Sequence, residues 1–473
     1  MAYKTIVGLE IHVELSTTTK AFCSCKNDFG GEPNTRVCPV CLGLPGGLPV
    51  LNENVVKYAT MAGIALNCEI QKRSKFDRKN YFYPDLTKGF QITQDDMPIC
   101  TNGYLEIEGD KGPKKVGIRQ IQMEEDTAKS LHNDTETLMD YNRCGVPLIE
   151  IVSQPDMSSG KEAREFLEKL KATLRYIGIS DCKMEEGSLR CDVNVNIVDE
   201  STGRKTAVTE VKNLNSFRGV EKAIDFEVER HKKLLENNEN EIRTTRRWDD
   251  ANNETILMRV KYTVADYRFA PEGDLPPVVL EDDYEEKIRS IMPELPEAKK
   301  ERFMAEYKIP EYDASVLTSV QDLSDFYEEV VKHFDDYNMA SNWVMTEVLR
   351  RVDDIEEAFE IPFESKDLAD LLNEIKKGSI NNNAGKKVLR EMFETGKKPL
   401  DIIKEKGLVQ ISDSSEIEEL VDKVLSENPQ SIDDFKAGKD RALGFLVGQV
   451  MKASRGKANP QIVNEMLVEK LNK

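Results

Sequence analysis

Histidine is scarce in this chain: His12, His132, His231 and His333 are the only four among 473 residues. A serine–histidine–acid hydrolase would have to be built on one of them, and no G-x-S-x-G elbow is present to carry its nucleophile. His231 and His333 lie in charged helical stretches and are expected at the surface. No phosphate-binding G-x-x-x-x-G-K-[ST] loop exists; Gly456-Lys457-Ala458 lacks both the leading glycine and the hydroxyl residue. No apolar run approaches the roughly 20 residues of a membrane span, so no membrane partner is expected. Met1-Ala2-Tyr3-Lys4 leads directly into a strand pattern, which leaves no signal peptide and predicts a cytoplasmic protein. Positive charge is in deficit: 66 Lys and Arg face 86 Asp and Glu, a net charge of -20. That balance excludes a nonspecific nucleic-acid binder, and no DNA partner is expected, but a local RNA contact stays open. Two basic patches remain. Lys72, Arg73, Lys75, Arg78 and Lys79 lead into Tyr81-Phe82-Tyr83, and a tail patch holds Lys436, Lys439, Arg441, Lys452, Arg455 and Lys457.

Disulfides are also not expected, because nine cysteines is an odd number and no secretory signal precedes them. Four of them cluster as Cys23-x-Cys25, twelve intervening residues, then Cys38-Pro-Val-Cys41. Two close pairs at this separation have zinc-knuckle spacing, since four thiolates satisfy tetrahedral zinc. An all-cysteine set is closed, so the site reads as structural rather than catalytic. Cys68, Cys100, Cys144, Cys182 and Cys191 are expected to be buried as small hydrophobes.

What the chain does have is strands with acids among hydrophobes. Thr5 to Leu15 read T-I-V-G-L-E-I-H-V-E-L. Successive strand side chains point to opposite faces, so Val7, Leu9, Ile11, Val13 and Leu15 share one face and Glu10, His12 and Glu14 the other. Arg190 to Ile197 repeats the pattern with Asp192, Asn194 and Asn196 on one side. Glu210 and Lys212 share a face, and Glu150 stands alone in Leu148-Ile149-Glu150-Ile151-Val152. A solvated antiparallel sheet explains any one such strand. Four together point to a shared polar concavity, because a buried carboxylate is costly unless paired or bound to a metal.

These strands predict an α+β first domain, residues 1–293, with a largely antiparallel sheet and the Cys loop at 23–41. Asn102-Gly103 predicts a hairpin between Met97–Cys100 and Tyr104–Glu108, and Gly109 to Pro113 a second turn. Ser159–Gly178 and Arg218–Asn237 read as helices. Pro293-Glu294-Leu295-Pro296 breaks the pattern. An all-α domain follows over 294–407, with Trp343 and Phe359 in its core. A small helical tail follows over 408–473, punctuated at Gly444-Phe445-Leu446-Val447-Gly448.

The chemistry-bearing constellation is acidic: Glu10, His12, Glu124-Glu125-Asp126, Glu150, Glu185-Glu186, Asp192 and Glu210. Carboxylates with one imidazole suit Mg²⁺ or Mn²⁺. Metal ions beside cations are what phosphoryl transfer needs, with Lys79 and Arg190 as the positive members. Glu124–Asp126 fits a solvated turn equally well.

Several long stretches resemble the B subunit of the bacterial aspartyl/glutamyl-tRNA amidotransferase. They are Val7–Leu15, Phe76–Asp85, Asp140–Ile151, Met184–Asp192, Val211–Phe217 and Gly444–Lys452. The resemblance implies a heterotrimer in which the B subunit works with an amidase, the A subunit, plus a small third chain, the C subunit. It implies that a chain of this kind binds misacylated Glu-tRNA(Gln) or Asp-tRNA(Asn) and phosphorylates the side-chain carboxylate with ATP and Mg²⁺. Ammonia from the amidase then displaces phosphate to give Gln-tRNA(Gln) or Asn-tRNA(Asn). It implies a cradle around the kinase site, a helical domain and a tail that touches tRNA. It implies metal ligands at Glu10, His12 and Glu125; strand-face geometry extends the set to Glu150, Asp192 and Glu210. Some members carry four zinc-ligand cysteines and others lack them; this chain has the full set. Arg78, Tyr81 and Tyr83 beside Lys79 suit stacking on a terminal adenosine or ATP. Lys212 and, in the tail patch, Lys452 complete the expected binding residues. Two rival readings compete: a zinc-ribbon RNA binder without catalysis, and a metal-dependent hydrolase using Glu10 and His12.

Overall fold

The computed structural model describes the chain except residues 1–2, 134, 240–241, 261–266, 353–354, 356–358, 409–413, 437–440, 455–457, 459 and 473, and the side chains of 414–416, 436, 460 and 461. The described residues form two compact units, residues 1–295 and 296–473.

In the first unit, alternation of apolar and polar residues builds one large sheet. Its strands are β1 (Tyr3–Glu14), β2 (Glu69–Ile70), β3 (Cys100–Ile107), β4 (Lys114–Glu125), β5 (Pro147–Ser153), β6 (Leu189–Asp199), β7 (Thr209–Lys212), β8 (Thr244–Asp249) and β9 (Glu254–Val260). They lie in the order β9-β8-β7-β6-β1-β5-β4-β3-β2. Among these neighbours β7 and β8 run parallel and every other pair antiparallel. The N-terminal strand is therefore central, flanked by β5 and β6. Its apolar side is fully buried: Val7, Leu9, Ile11, Val13 and Leu15 are at most 1% exposed. That side joins one core with the apolar faces of helices α1 (Glu53–Ala65), α2 (Gly160–Tyr176) and α3 (Phe217–Glu236). Each helix starts at a side-chain cap, Asn52, Ser159 or Ser216, which accepts from an otherwise unpaired backbone N–H. The core faces one side of the sheet, so burial pins the register and leaves the polar residues of β1 on the other.

Two local expectations are corrected here. Asn102-Gly103 does not turn the chain; β3 runs straight through it. Asn102 takes a φ of 54°, yet the β3–β4 register is the same on either side of it, Thr101 opposite Gln120 and Gly103 opposite Ile118. Gly103 is required by packing: a Cβ there would meet Cys68 Sγ at 2.2 Å and the Leu66 carbonyl at 2.6 Å. His231 is not at the surface. Its side chain is 0% exposed beneath β7, held by Thr206 at Nδ1 (2.6 Å) and Thr209 at Nε2 (2.9 Å). His333 is exposed, and the five scattered cysteines are all buried.

The second unit is built of helices around two separate cores. Pro296–Glu306, Gln321–His333, Ser365–Lys376 and Asn382–Thr395 bury Phe303, Tyr327, Leu372 and Leu389 with Trp343; Phe359 packs on that core half-buried. Ser414–Glu427, Arg441–Ala453 and Pro460–Leu471 surround Val421, Leu446, Val450 and Leu467. The expected break at Gly444 to Gly448 does not occur, because both glycines lie inside helix Arg441–Ala453. Each glycine costs that helix about 1 kcal/mol. Burial of Leu446 and Val450 along one stripe offsets the cost.

Candidate active site

The polar side of the sheet concentrates the acids. Pairing sets His12 opposite Glu150 of β5 and Arg190 of β6, Glu10 opposite Asp192, and Asn194 opposite Glu210 of β7. In β4, Glu124 pairs with Leu148, two residues from Glu150 on the same face. Two groups of potential ligands result. The donor atoms of His12, Glu124 and Glu150 all lie within 4.8 Å of one another, as do those of Glu10, Asp192 and Glu210. His12 Nε2 is 3.6 Å from Glu124 and 3.7 Å from Glu150. Glu124 is buried and accepts from the Thr93 hydroxyl and from Gln91 Nε2 at 3.1 Å. In the second group Asn194 Nδ2 donates to Glu10 at 3.0 Å. The Lys212 ammonium pairs with Asp192 and lies 3.5 Å from Glu210.

The electrostatics are those of crowded anions. Burial, then the neighbouring Glu124 carboxylate, pushes Glu150 up to about 7. Burial also works against ionised Glu124, but hydrogen bonding to His12 and the charge of Lys79 hold it well below the usual carboxylate range. His12 is raised: burial alone would lower it, and Glu124 and Glu150 more than reverse that. Lys79 is raised in the same way by Glu124, Glu150, Tyr267 and Glu10 against its burial. Its ammonium sits 5.0 Å from the centre of the Tyr267 ring.

Not every expected residue joins this face. The position expected for Glu125 is filled by Glu124. Ile121-Gln122-Met123-Glu124 alternates, so Glu124 faces His12 while Glu125 turns to the other side of the strand. There it accepts from the Lys88 ammonium and the Ile92 N–H (3.0 Å) and lines a cleft of about 210 Å³ with Cys23 and Cys41. The same period-two rule that selected Glu10 and Asp192 selects Glu124. Arg190 donates to buried Asp126 at 2.7 Å, beside Glu14. Glu185 is exposed and Glu186 pairs with Lys183, so neither enters the cluster. Arg78 is committed to Glu272 by two hydrogen bonds of 2.8 and 2.7 Å. Lys72 and Lys75 are also paired with acids, which leaves the first basic patch largely neutralised. Tyr81 meets Tyr267, and Tyr267 meets Phe269, edge to face at 5.8 and 5.9 Å. These two partners were not anticipated, because they lie almost 190 positions away in sequence. Tyr83 and Phe82 are exposed beside them. Lys452 is exposed on the tail helix Arg441–Ala453. In the tail patch the Lys436 side chain, Lys439, Arg455 and Lys457 lie outside the described residues.

Away from the polar face, Cys23, Cys25, Cys38 and Cys41 bring four sulfurs within 4.8 Å of one another. The Cys38 N–H donates to Cys41 Sγ at 3.1 Å. A hydrogen bond from the Cys23 thiol is the main reason that Cys41 is drawn down to about 5. Four convergent thiols with one ready to ionise fit a tetrahedral soft-metal site.

Comparison with known proteins follows the same division. Residues 5–286 match the GatB/GatE catalytic domain, and residues 325–471 match the GatB domain. The chain is 54% identical over 475 residues to a protein of Clostridium tetani, covering 100% of both chains. It is 54% identical over 473 residues to one of Finegoldia magna and 52% identical over 479 to one of Caldicellulosiruptor saccharolyticus, again covering 100% of each chain. All three are named as the B subunit of an aspartyl/glutamyl-tRNA(Asn/Gln) amidotransferase.

Proposed function

This chain belongs to the B-subunit family of the aspartyl/glutamyl-tRNA(Asn/Gln) amidotransferases, and from that premise we propose that the polar sheet face is the site where a tRNA-borne carboxylate is activated. The reaction is ATP-dependent amidation of the side chain of Glu-tRNA(Gln) or Asp-tRNA(Asn). A carboxylate resists attack by ammonia because oxide is a poor leaving group. Transfer of the terminal phosphoryl group of ATP makes a mixed anhydride; ammonia then attacks the acyl carbon and inorganic phosphate departs.

The observation that carries this reading is the pairing of two three-donor groups on adjacent strands. Carboxylates with one imidazole are the donor set of Mg²⁺ or Mn²⁺, and their mutual repulsion needs a cation. His12, Glu124 and Glu150 would hold one ion and Glu10, Asp192 and Glu210 another. Bound there, Mg²⁺ supplies charge neutralisation for phosphate oxygens. The chain's own cations do the rest. Lys79, turned toward the acids, screens incoming phosphate charge, and Lys212 does so across Asp192. Arg190, fixed by Asp126, borders the same face. Tyr81 with Tyr267, and exposed Tyr83, offer ring faces for a terminal adenosine. Lys452 and its neighbours in the tail would contact tRNA phosphates. The four cysteines would hold structural zinc. No described helix is long and apolar enough to cross a membrane. Ammonia would come from an amidase partner, the A subunit, in a complex with a small C subunit.

The test is phosphate release from ATP by the chain with its partner subunits, Mg²⁺ and either misacylated or uncharged tRNA. Release that requires Glu-tRNA(Gln) or Asp-tRNA(Asn) is expected. Intact tRNA binding with no release from any aminoacyl-tRNA would leave a zinc-bearing RNA module.

A further inference from the structure

Lys20 is one of the largest fully buried side chains in the protein, at 0% exposure. An ammonium taken out of water needs an anion beside it. Lys299, the other buried lysine among the described residues, has two: Asp325 at 2.6 Å and Glu328 at 2.9 Å. Lys20 is different. Among the described residues its ammonium donates to the Arg36 carbonyl at 2.8 Å and to Cys41 Sγ at 3.8 Å, and neither is a carboxylate. The only acceptor of the two that can carry a full charge is sulfur.

The surroundings are built to keep it there. The Lys20 N–H donates to the Cys25 carbonyl at 3.0 Å, so the lysine is fixed to the first cysteine pair. Its ammonium reaches across to the segment leading into the second. The Ala21 N–H donates to the Gly145 carbonyl at 2.8 Å, which brings residue 145 down on the lysine stem. Gly145 has a φ of 80°, and a Cβ there would lie 3.5 Å from Cys41 Cβ and 3.6 Å from Lys20 Cδ. Glu125 borders the same spot, with an oxygen 3.9 Å from that point. Its carboxylate is already held by Lys88 and by the Ile92 N–H.

We propose that Lys20 is the buried counter-ion of the four-cysteine site, a positioning residue that offsets the charge of the metal-bound thiolates and holds Cys41 toward the metal. This rests on the zinc reading above. Four thiolates on one divalent zinc carry a net charge of about -2, and burial makes an adjacent cation valuable. Hydrogen-bonding partners one step out from a metal typically change its affinity by about 10- to 100-fold.

The experiment compares full-length wild type, Lys20→Met and Lys20→Arg. Metal content is read by mass spectrometry, and zinc release by a chromophoric chelator. Wild type should retain zinc at one ion per chain. Lys20→Met should release it at least about tenfold faster, and Lys20→Arg, which keeps the charge, should stay near wild type. Equal release from wild type and Lys20→Met overturns the proposal, and so does Lys20→Arg behaving like Lys20→Met. Wild type free of zinc after refolding with zinc overturns the zinc reading itself. A second measurement needs no variant: amine acylation of wild-type chain followed by peptide mapping. Lys20 should be protected with zinc bound and become labelled after chelation. Equal labelling in the two states overturns the counter-ion role.

Discussion

The large sheet carries ionisable side chains in two sheltered places, at its centre and under its β8–β9 edge, and the two are balanced differently. At the edge, buried Glu227 of α3 receives Arg230 at 2.7 Å, with Arg246 and His231 each at 3.3 Å. One carboxylate answers two guanidiniums, and threonines satisfy the imidazole. Burial works against the ionised form, but His231 and Arg230 prevail and draw Glu227 down to about 2. At the centre, Glu10, Glu124, Glu150, Asp192 and Glu210 share Lys79 and Lys212, and Glu150 is pushed up instead. Charge under cover therefore does not mark a functional site by itself. A carboxylate saturated by cations of its own chain serves the fold; a cluster left in excess of anion has room for cations from outside it.

The strongest test of that contrast is to break the closed cluster. Glu227→Gln leaves Arg230 and Arg246 without their buried anion. Removing one partner of such a pair costs about 3–5 kcal/mol. Urea denaturation of the variant should show that loss. A loss below about 1 kcal/mol would mean that the edge cluster is not holding β7, β8 and α3 together.

The open cluster should show its largest change in activity. Glu124→Gln or His12→Ala should lower tRNA-dependent ATP turnover by about 10²–10³-fold, the size of effect seen when one charge-stabilising group is removed. Without metal the thermal midpoint should fall in both variants, because the His12–Glu124 contact is what holds Glu124 ionised and raises His12, and tRNA binding should survive. Loss of tRNA binding with ATP turnover intact would refute the assignment of this face.

A smaller effect follows from acidity. The fold favours ionised Glu227, so the unfolded chain binds its proton more readily. The stabilisation is complete above the ordinary value of 4.5 and is lost as pH falls toward about 2. The stability gap between wild type and Glu227→Gln should therefore narrow between pH 5 and pH 3. A constant gap would show that Glu227 acts by shape and not by charge.

Most of the central face was legible in the sequence because it is made by one local rule. Strand alternation placed Glu10, His12, Glu150, Asp192 and Glu210 together without knowledge of the strand order. What escaped depends on residues far apart in the chain. His231 sits in a stretch of Glu, Arg and Lys that reads as solvated, and only the arrival of β7, with Thr206 and Thr209, buries it. Asn102-Gly103 has the chemistry of a turn. The same tolerance of positive φ lets Asn102 stay inside a strand, where Cys68 and Leu66 close on Gly103. The aromatic partner of Tyr81, Tyr267, belongs to a distant segment, so no spacing announces it.

The finest test lies between two adjacent residues. Glu124 and Glu125 have the same side chain and the same strand, and only the pleat separates them. If the face decides function, manganese titration by calorimetry should distinguish them. Glu124→Gln removes an oxygen from the group that includes His12 Nε2 at 3.6 Å, and affinity should fall at least about tenfold. Glu125→Gln alters the Lys88 pair in the cleft on the other side of the strand. It should change manganese affinity by no more than about threefold, because Glu125 supplies no oxygen to either three-donor group. Equal losses would place both carboxylates on one ion, which a pleated strand can do only if β4 bulges at its end. The regular β4–β5 register, with Glu124 opposite Leu148 and Glu125 opposite Pro147, argues against that bulge.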